Sequence, residues 1–229
     1  DNITDVIDGV MFHMNCENDD FISLSKQLDN IERRFATILP KLNWLSLGGG
    51  VAFTSDDYEL DALCERLKLL AKTYDVQVYL EPGEASVTQS TSLVVTVLDK
   101  VENQLPTLIV DAVVETHLLD VLVYQFVPAL EGAQEIAEQD IEAALQQGQF
   151  VYRVSGRTCL AGDVFGTYVF KQKISIGDEL KFTDVAGYSM VKKNFFNGIK
   201  MPAICHKDIN GKTQVVREFS YEDFRDSLS

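Results

Sequence analysis

From Phe21 onward the apolar positions fall at Phe21, Leu24, Leu28, Ile31, Phe35 and Ile38. Gaps of three and four place them on one stripe of an α-helix. Asp19 and Asp20 stand just before it and suit its N-terminal cap. The apolar run Val6 to Met14 reads as a buried strand, and Leu42 to Leu47 as a short one ending in Gly48-Gly49-Gly50. A second stripe, Leu60, Leu63, Leu67 and Leu70, predicts another helix, and Val76 to Leu80 predicts a third strand ending in Glu81-Pro82-Gly83. The order β-α-β-α-β implies parallel strands joined by right-handed crossovers.

Beyond residues 86–92 the period changes. Short β-rich runs dominate: Leu93–Leu98, Leu108–Val114, Val121–Phe126, Phe150–Val154, Tyr168–Ile174 and Leu180–Phe182. Gly177-Asp178 marks a turn. Asn210-Gly211, between Ala203–Cys205 and Thr213–Val216, is a hairpin signal. One helix is expected from about Ala133 to Gln146. The pattern predicts two domains, an α/β portion over 1–88 and a β domain over 89–229. Three strands and two helices fall short of a closed (β/α)₈ barrel, which takes about 250 residues. Either the sheet is a small independent layer, or further strands precede Asp1; the first residue is not Met, so a piece of a longer protein is expected.

Charge narrows the partners. The 229 residues carry 20 Lys+Arg against 35 Asp+Glu, a formal charge of −15. Such a surface repels phosphate backbones, which argues against nucleic acid. No apolar run reaches the length of a membrane span and no signal peptide pattern opens the chain. Four scattered cysteines without a CxxC pair suggest a reducing cytoplasm.

Four stretches carry chemistry, each with a plainer reading beside it. His13, at the end of the first strand, can stack on a flat ligand or carry a proton, or can be a satisfied strand-end histidine. Gly48-Gly49-Gly50 allows close backbone approach and can cradle a phosphate, or is a tight turn; it is neither GxGxxG nor a Walker loop. Glu81, at the C-terminal edge of a parallel strand, can hold a protonated ring nitrogen, or lies in a solvated loop. Cys159, among small residues in Gly156–Asp163, can sit in a pocket or be a small hydrophobe, and Tyr188 can reach a phosphate oxygen. The scattered Cys and His fit zinc poorly, and no metal site is expected.

Taken in order, these stretches resemble the fold-type III pyridoxal-phosphate decarboxylases, an alanine-racemase-like barrel followed by a β domain. Within that group the chain is most similar to the carboxynorspermidine/carboxyspermidine decarboxylases. The marks are Phe12-His13 with Cys16-Glu17, Gly48-Gly49-Gly50, Tyr79 to Ala85 (YLEPGEA), Thr96-Val97-Leu98-Asp99, His117-x-x-Asp120-Val121-Leu122, Thr158 to Asp163 (TCLAGD), Phe196-Asn197-Gly198 and Tyr221-Glu222-Asp223-Phe224. The resemblance implies that His13 stacks on the pyridine ring, that Gly48, Gly49, Gly50 and Gly83 with Tyr188 hold the coenzyme, and that Glu81 pairs with the ring nitrogen. It implies that Cys159 lines the substrate side as a proton donor. In a homodimer with shared sites, Cys159 and Asp163 would serve the partner's coenzyme. Glu84, with His117, Asp120 and Asp163, would meet a polyamine substrate. Ornithine and diaminopimelate decarboxylases usually carry Arg where Glu84 stands, and a carboxylate there suits the ammonium groups of a polyamine.

The chain departs from that pattern in places. Val51 and Ala52 stand where the group has two histidines, Val123 where a Glu is usual, and Thr167 where Gly-Asp-Tyr is common. No lysine corresponds to the one that forms the Schiff base, so the chain alone is expected to be inactive. The expected activity of the parent is decarboxylation of carboxynorspermidine or carboxyspermidine. The alternatives are a diaminopimelate, ornithine or arginine type, or a non-catalytic pyridoxal-phosphate-binding relative.

Overall fold

The computed structural model describes residues 6–16 and 18–228, so Glu17 and Asp1 lie outside the described residues. The chain divides into two compact units, one ending at Thr88 and the other beginning at Gln89.

The first unit is a parallel three-stranded sheet in the order β1 (Gly9–Met11), β2 (Trp44–Ser46), β3 (Gln77–Tyr79), with helices α1 (Phe21–Phe35) and α2 (Leu60–Tyr74) between the strands. Register is tight: Val10 pairs with Leu45, and Leu45 with Val78. The Asp20 carboxylate caps α1 by accepting from the Ile22 and Ser23 N–H groups at 2.9 and 3.0 Å. Leu24, Leu28 and Ile31 of the α1 stripe, with Leu63 and Leu70 of α2, bury against Leu45 and Leu47. Arg66 of α2 pairs with Asp29 and Glu32 of α1 and ties the helices together. Asp75, in the left-handed region at φ 53°, ends α2. The first strand is shorter than the run Val6–Met14 and is not buried: β1 is an edge strand, and Met11 is 53% exposed.

The second unit is built on a six-stranded sheet, with β4 (Leu93–Val101), β5 (Thr107–Val110), β6 (Ala133–Glu135), β7 (Phe150–Ser155), β8 (Val164–Phe170) and β9 (Glu179–Phe182) in the order β6-β8-β7-β5-β4-β9. All its pairings are antiparallel except β5 with β7. Its core centres on Val95, Leu108, Val154, Phe165, Tyr168 and Phe182. Short helices α3 (Val114–His117), α4 (Asp120–Tyr124), α5 (Ile141–Gln146), α6 (Gly187–Lys192) and α7 (Tyr221–Asp226) decorate it. A separate hairpin, β10 (Ile204–Lys207) with β11 (Thr213–Arg217), closes over Gly211 at φ 82°, as Asn210-Gly211 foretells.

Two expected elements of the second unit differ in type. Val121–Phe126, expected as a strand, is mostly the helix α4. Val121 is buried while Val123 and Tyr124 face outward, a helical burial order that a run of four apolar residues conceals. The helix expected over Ala133–Gln146 is three elements, a strand, a 3₁₀ turn over Glu138–Asp140 and a short α-helix. Ala133–Glu135 ladders antiparallel onto β8, and the helix starts only at Ile141. Strand pairing here overrides local helix propensity.

Tyr168 anchors the second core. Its hydroxyl donates to the Pro128 carbonyl at 2.8 Å, and burial pushes its ionisation well above the ordinary range. Tyr168→Phe leaves that buried carbonyl unpaired and should lower the unfolding free energy of this unit by about 1–3 kcal/mol. Urea denaturation measures it, and an unchanged midpoint would show that the bond contributes nothing.

Candidate active site

Three parallel strands in register bring their C-terminal ends together, and in such sheets that edge is where ligands bind. The residue chain at this edge is continuous. Phe12 N–H donates to the Ser46 carbonyl at 2.9 Å, Leu47 N–H to the Tyr79 carbonyl at 3.0 Å, and Glu81 N–H to the Gly48 carbonyl at 2.9 Å. His13, Gly48-Gly49-Gly50 and Glu81 therefore follow β1, β2 and β3 at a common level.

Close approach explains the three glycines. A Cβ on Gly48 would run into the His13 ring, one on Gly49 into the Glu81 carbonyl, and one on Gly50 into the Asn15 carbonyl. Gly48 and Gly50 also have φ of 70° and 88°. The turn is thus pressed against both neighbouring strand ends. Gly49 N–H donates to His13 Nδ1 at 3.3 Å, which leaves the proton of a neutral imidazole on Nε2. Cys16 Sγ lies 3.8 Å from Nε2. Ser46 Oγ donates to Glu81 Oε1 at 2.5 Å and accepts from Gly48 N–H at 3.2 Å. Ser46 is a site residue that sequence reasoning missed. No pattern in the sequence marks it; only its partners in the fold do.

The turn does not run straight into a helix, since α2 begins only at Leu60. Phosphate binding there would rest on the turn's own N–H groups rather than on a helix terminus. Gly83 has open space around a Cβ, and Glu84 opens a 3₁₀ turn over Glu84–Ser86. Of the departures, Val51 is a core position: it is buried in the same cluster as Leu47 and bridges Asn18.

In the second unit the expected residues fall into three surroundings. Asp163 is buried, accepting from Val114 N–H at 2.8 Å, Thr158 N–H at 2.9 Å and Thr158 Oγ1 at 2.7 Å. It holds the turn that presents Cys159, whose Sγ is exposed and accepts from Asn197 Nδ2 at 3.7 Å. Asp120 is ion-paired with Lys192 Nζ at 2.5 Å, and that ammonium lies 4.5 Å over the Tyr188 ring. His117 is buried beside a cavity of about 550 Å³ also lined by Asp111, Arg157, Lys193 and Lys200. Cys159, Asp120, Asp163 and Tyr188 do not line it. Among the described residues no cluster of His, Cys, Asp and Glu could hold a metal ion.

The chain is 47% identical over 228 residues to a carboxynorspermidine/carboxyspermidine decarboxylase of Herminiimonas arsenicoxydans, covering 100% of this chain and 59% of that one. It is 36% identical over 220 residues to the Campylobacter jejuni protein of the same name, covering 95% of this chain and 57% of that one. It is 35% identical to a carboxyaminopropylagmatine decarboxylase of Synechocystis over 229 residues, covering 99% of this chain and 57% of that one. The crystal structure of Campylobacter jejuni carboxynorspermidine decarboxylase complexed with norspermidine superposes with a TM-score of 0.87, at 36% identity over 95% of this chain and 60% of that one. The fold is that of the fold-type III decarboxylases. A fold-type III diaminopimelate decarboxylase from Helicobacter pylori, at 20% identity over 96% of this chain and 54% of that one, superposes with a TM-score of 0.73. No family model matches. The chain spans 57–59% of the length of these curated fold-type III relatives.

Burial pushes the His117 imidazole below its ordinary range, and hydrogen bonding to the Val113 backbone offsets this only in part. The unfolded chain then binds a proton that the folded unit resists. The His117 contribution to stability is full above about pH 6.5 and is lost as pH falls below it. Thermal midpoints of the chain and of His117→Gln should differ most above pH 6.5 and converge below it. A constant difference would place the proton elsewhere.

Proposed function

We propose that a longer protein containing this chain binds pyridoxal 5'-phosphate at the strand edge and decarboxylates carboxynorspermidine or carboxyspermidine to norspermidine or spermidine. The observation that carries this reading is the convergence of His13, the glycine turn and Glu81 on one sheet edge, in a chain similar along its whole length to enzymes of that name. The donor set fits the coenzyme. A flat exposed imidazole, a turn too tight for any Cβ and a carboxylate fixed on the neighbouring strand match an aromatic ring, a phosphate and a ring N–H.

In this reading His13 stacks on the ring, the glycine turn of Gly48, Gly49 and Gly50 holds the phosphate together with the Tyr188 hydroxyl, the Gly48 and Gly49 N–H groups being engaged by Ser46 and His13, Gly83 leaves room for the ring, and Glu81 accepts the pyridine N–H. When bound, the coenzyme supplies an electron sink for the pair left as CO₂ departs. Cys159 Sγ returns a proton to the carbon that has lost CO₂. Glu84, His117 and Asp120 face the polyamine; Asp163 acts through the turn bearing Cys159. Asp120 meets a substrate ammonium only by exchanging it for Lys192, one ammonium for another. Strands β1 to β3 carry no lysine, and in this reading the covalent anchor for the aldehyde is a lysine of the longer protein. A homodimer with shared sites and a cytoplasmic location accompany this reading. Four exposed free cysteines favour a reducing compartment, and no helix among the described residues is long and apolar enough to cross a membrane.

A second reading has its own support. Carboxyaminopropylagmatine is the substrate named for a relative at 35% identity, and a guanidinium tail also suits carboxylates. The test is to assay the full-length protein with the coenzyme on carboxynorspermidine, carboxyspermidine, carboxyaminopropylagmatine and diaminopimelate. Release of norspermidine or spermidine is expected. Turnover of diaminopimelate alone would overturn the substrate assignment.

Glu84→Arg places a cation where the polyamine brings one. It should raise KM for carboxynorspermidine by about tenfold or more, the equivalent of one charge-assisted hydrogen bond. An unchanged KM would remove Glu84 from the substrate's surroundings.

A further inference from the structure

We propose that Ser46 is a positioning residue that sets the Glu81 carboxylate for the coenzyme's ring nitrogen; this rests on the strand edge being the coenzyme site. Ser46 is buried, at 3% exposure, as the last residue of the central strand β2. Its hydroxyl has a single proton. Gly48 N–H occupies an acceptor position on Oγ at 3.2 Å, so the oxygen is fixed from the turn side. The proton is then directed across to Glu81 Oε1 at 2.5 Å, a short bond of the charge-assisted kind.

Residue 81 is held at two points, since its N–H also donates to the Gly48 carbonyl at 2.9 Å. With backbone and Oε1 both tied to β2 and its turn, the carboxylate has lost its free rotation. Oε2 becomes the oxygen that meets an incoming ring N–H. One serine hydroxyl thereby links the glycine turn to the carboxylate: the same side chain that shapes the phosphate-binding loop orients the group that reads the ring. Its reach is geometric, through the two groups it bonds, the Glu81 carboxylate and the Gly48 N–H.

The experiment uses the full-length protein and pyridoxal phosphate. Coenzyme affinity, the absorption spectrum of the bound coenzyme, and kcat are measured for the parent, Ser46→Ala, Ser46→Thr, Glu81→Ala and the Ser46→Ala/Glu81→Ala double variant. Ser46→Ala should weaken coenzyme binding and lower kcat by about tenfold to a hundredfold, the range for a hydrogen bond to a charged group. It should also shift the spectrum toward that of Glu81→Ala. Ser46→Thr, which keeps the hydroxyl, should recover the parental spectrum. In the Glu81→Ala background, removal of the Ser46 hydroxyl should add less than about twofold, because the two act as one unit. Additive effects, or a lowered melting temperature with an unchanged spectrum, would make Ser46 merely structural and overturn the proposal. Failure of the parent itself to bind the coenzyme would instead overturn the functional reading on which it rests.

Discussion

The first unit depends on one steric constraint, the absence of Cβ atoms at residues 48, 49 and 50. Parallel strands lie side by side at fixed spacing, so their ends can approach only if the connecting turn is thin. Here the turn after the central strand touches the His13 ring on one side and the Glu81 carbonyl on the other. Any side chain at these positions would push the strand ends apart and separate an imidazole from a carboxylate. Glycine at two of the three also answers a backbone requirement, since Gly48 and Gly50 occupy the left-handed region. Sheet geometry and site geometry are therefore the same fact.

The second unit organises its chemistry differently, through buried polar anchors in loops. Asp163 accepts three hydrogen bonds from Val114 and Thr158 while 4% exposed, and Gly156 has no room for a Cβ against its carboxylate. A buried charge so fully engaged stabilises one loop conformation and would cost several kcal/mol if left unpaired. The exposed thiol of Cys159 owes its place to that anchor. An exposed side chain on a loop thus inherits its position from a buried carboxylate.

Much of this was legible in the sequence where pattern and physics coincide. The α1 stripe, the Asp20 cap, the parallel β-α-β-α-β order and the Asn210-Gly211 hairpin each follow from local spacing. Val121 to Phe126 did not, because an apolar run without alternation fits helix and strand alike, and only the burial of Val121 against exposed Val123 separates them. Ala133 to Glu135 did not either, because its partner strand lies more than thirty residues later. At the site, His13, the glycines and Glu81 announce themselves as unusual residues at strand ends. Ser46 is an ordinary residue made important by its neighbours, Gly48 and Glu81, and no spacing rule singles it out.

Carboxylates that look alike in sequence part company once their partners are known. Asp163 is saturated by backbone and hydroxyl donors, so an ammonium could reach it only by dismantling the Cys159 turn. Asp120 already faces an ammonium, that of Lys192, which also lies over Tyr188 and Tyr124. A carboxylate with two aromatic rings around one cation is a chemically apt environment for an amine, whether that amine is tethered to the chain or arrives with a substrate. Glu84, exposed in the turn after β3, carries no such burial. The acidic surplus of 15 charges therefore says less about substrate than the surroundings of individual carboxylates do. Of these carboxylates, Asp120 already pairs its charge with an ammonium, whereas the charge of Asp163 is committed to holding the loop.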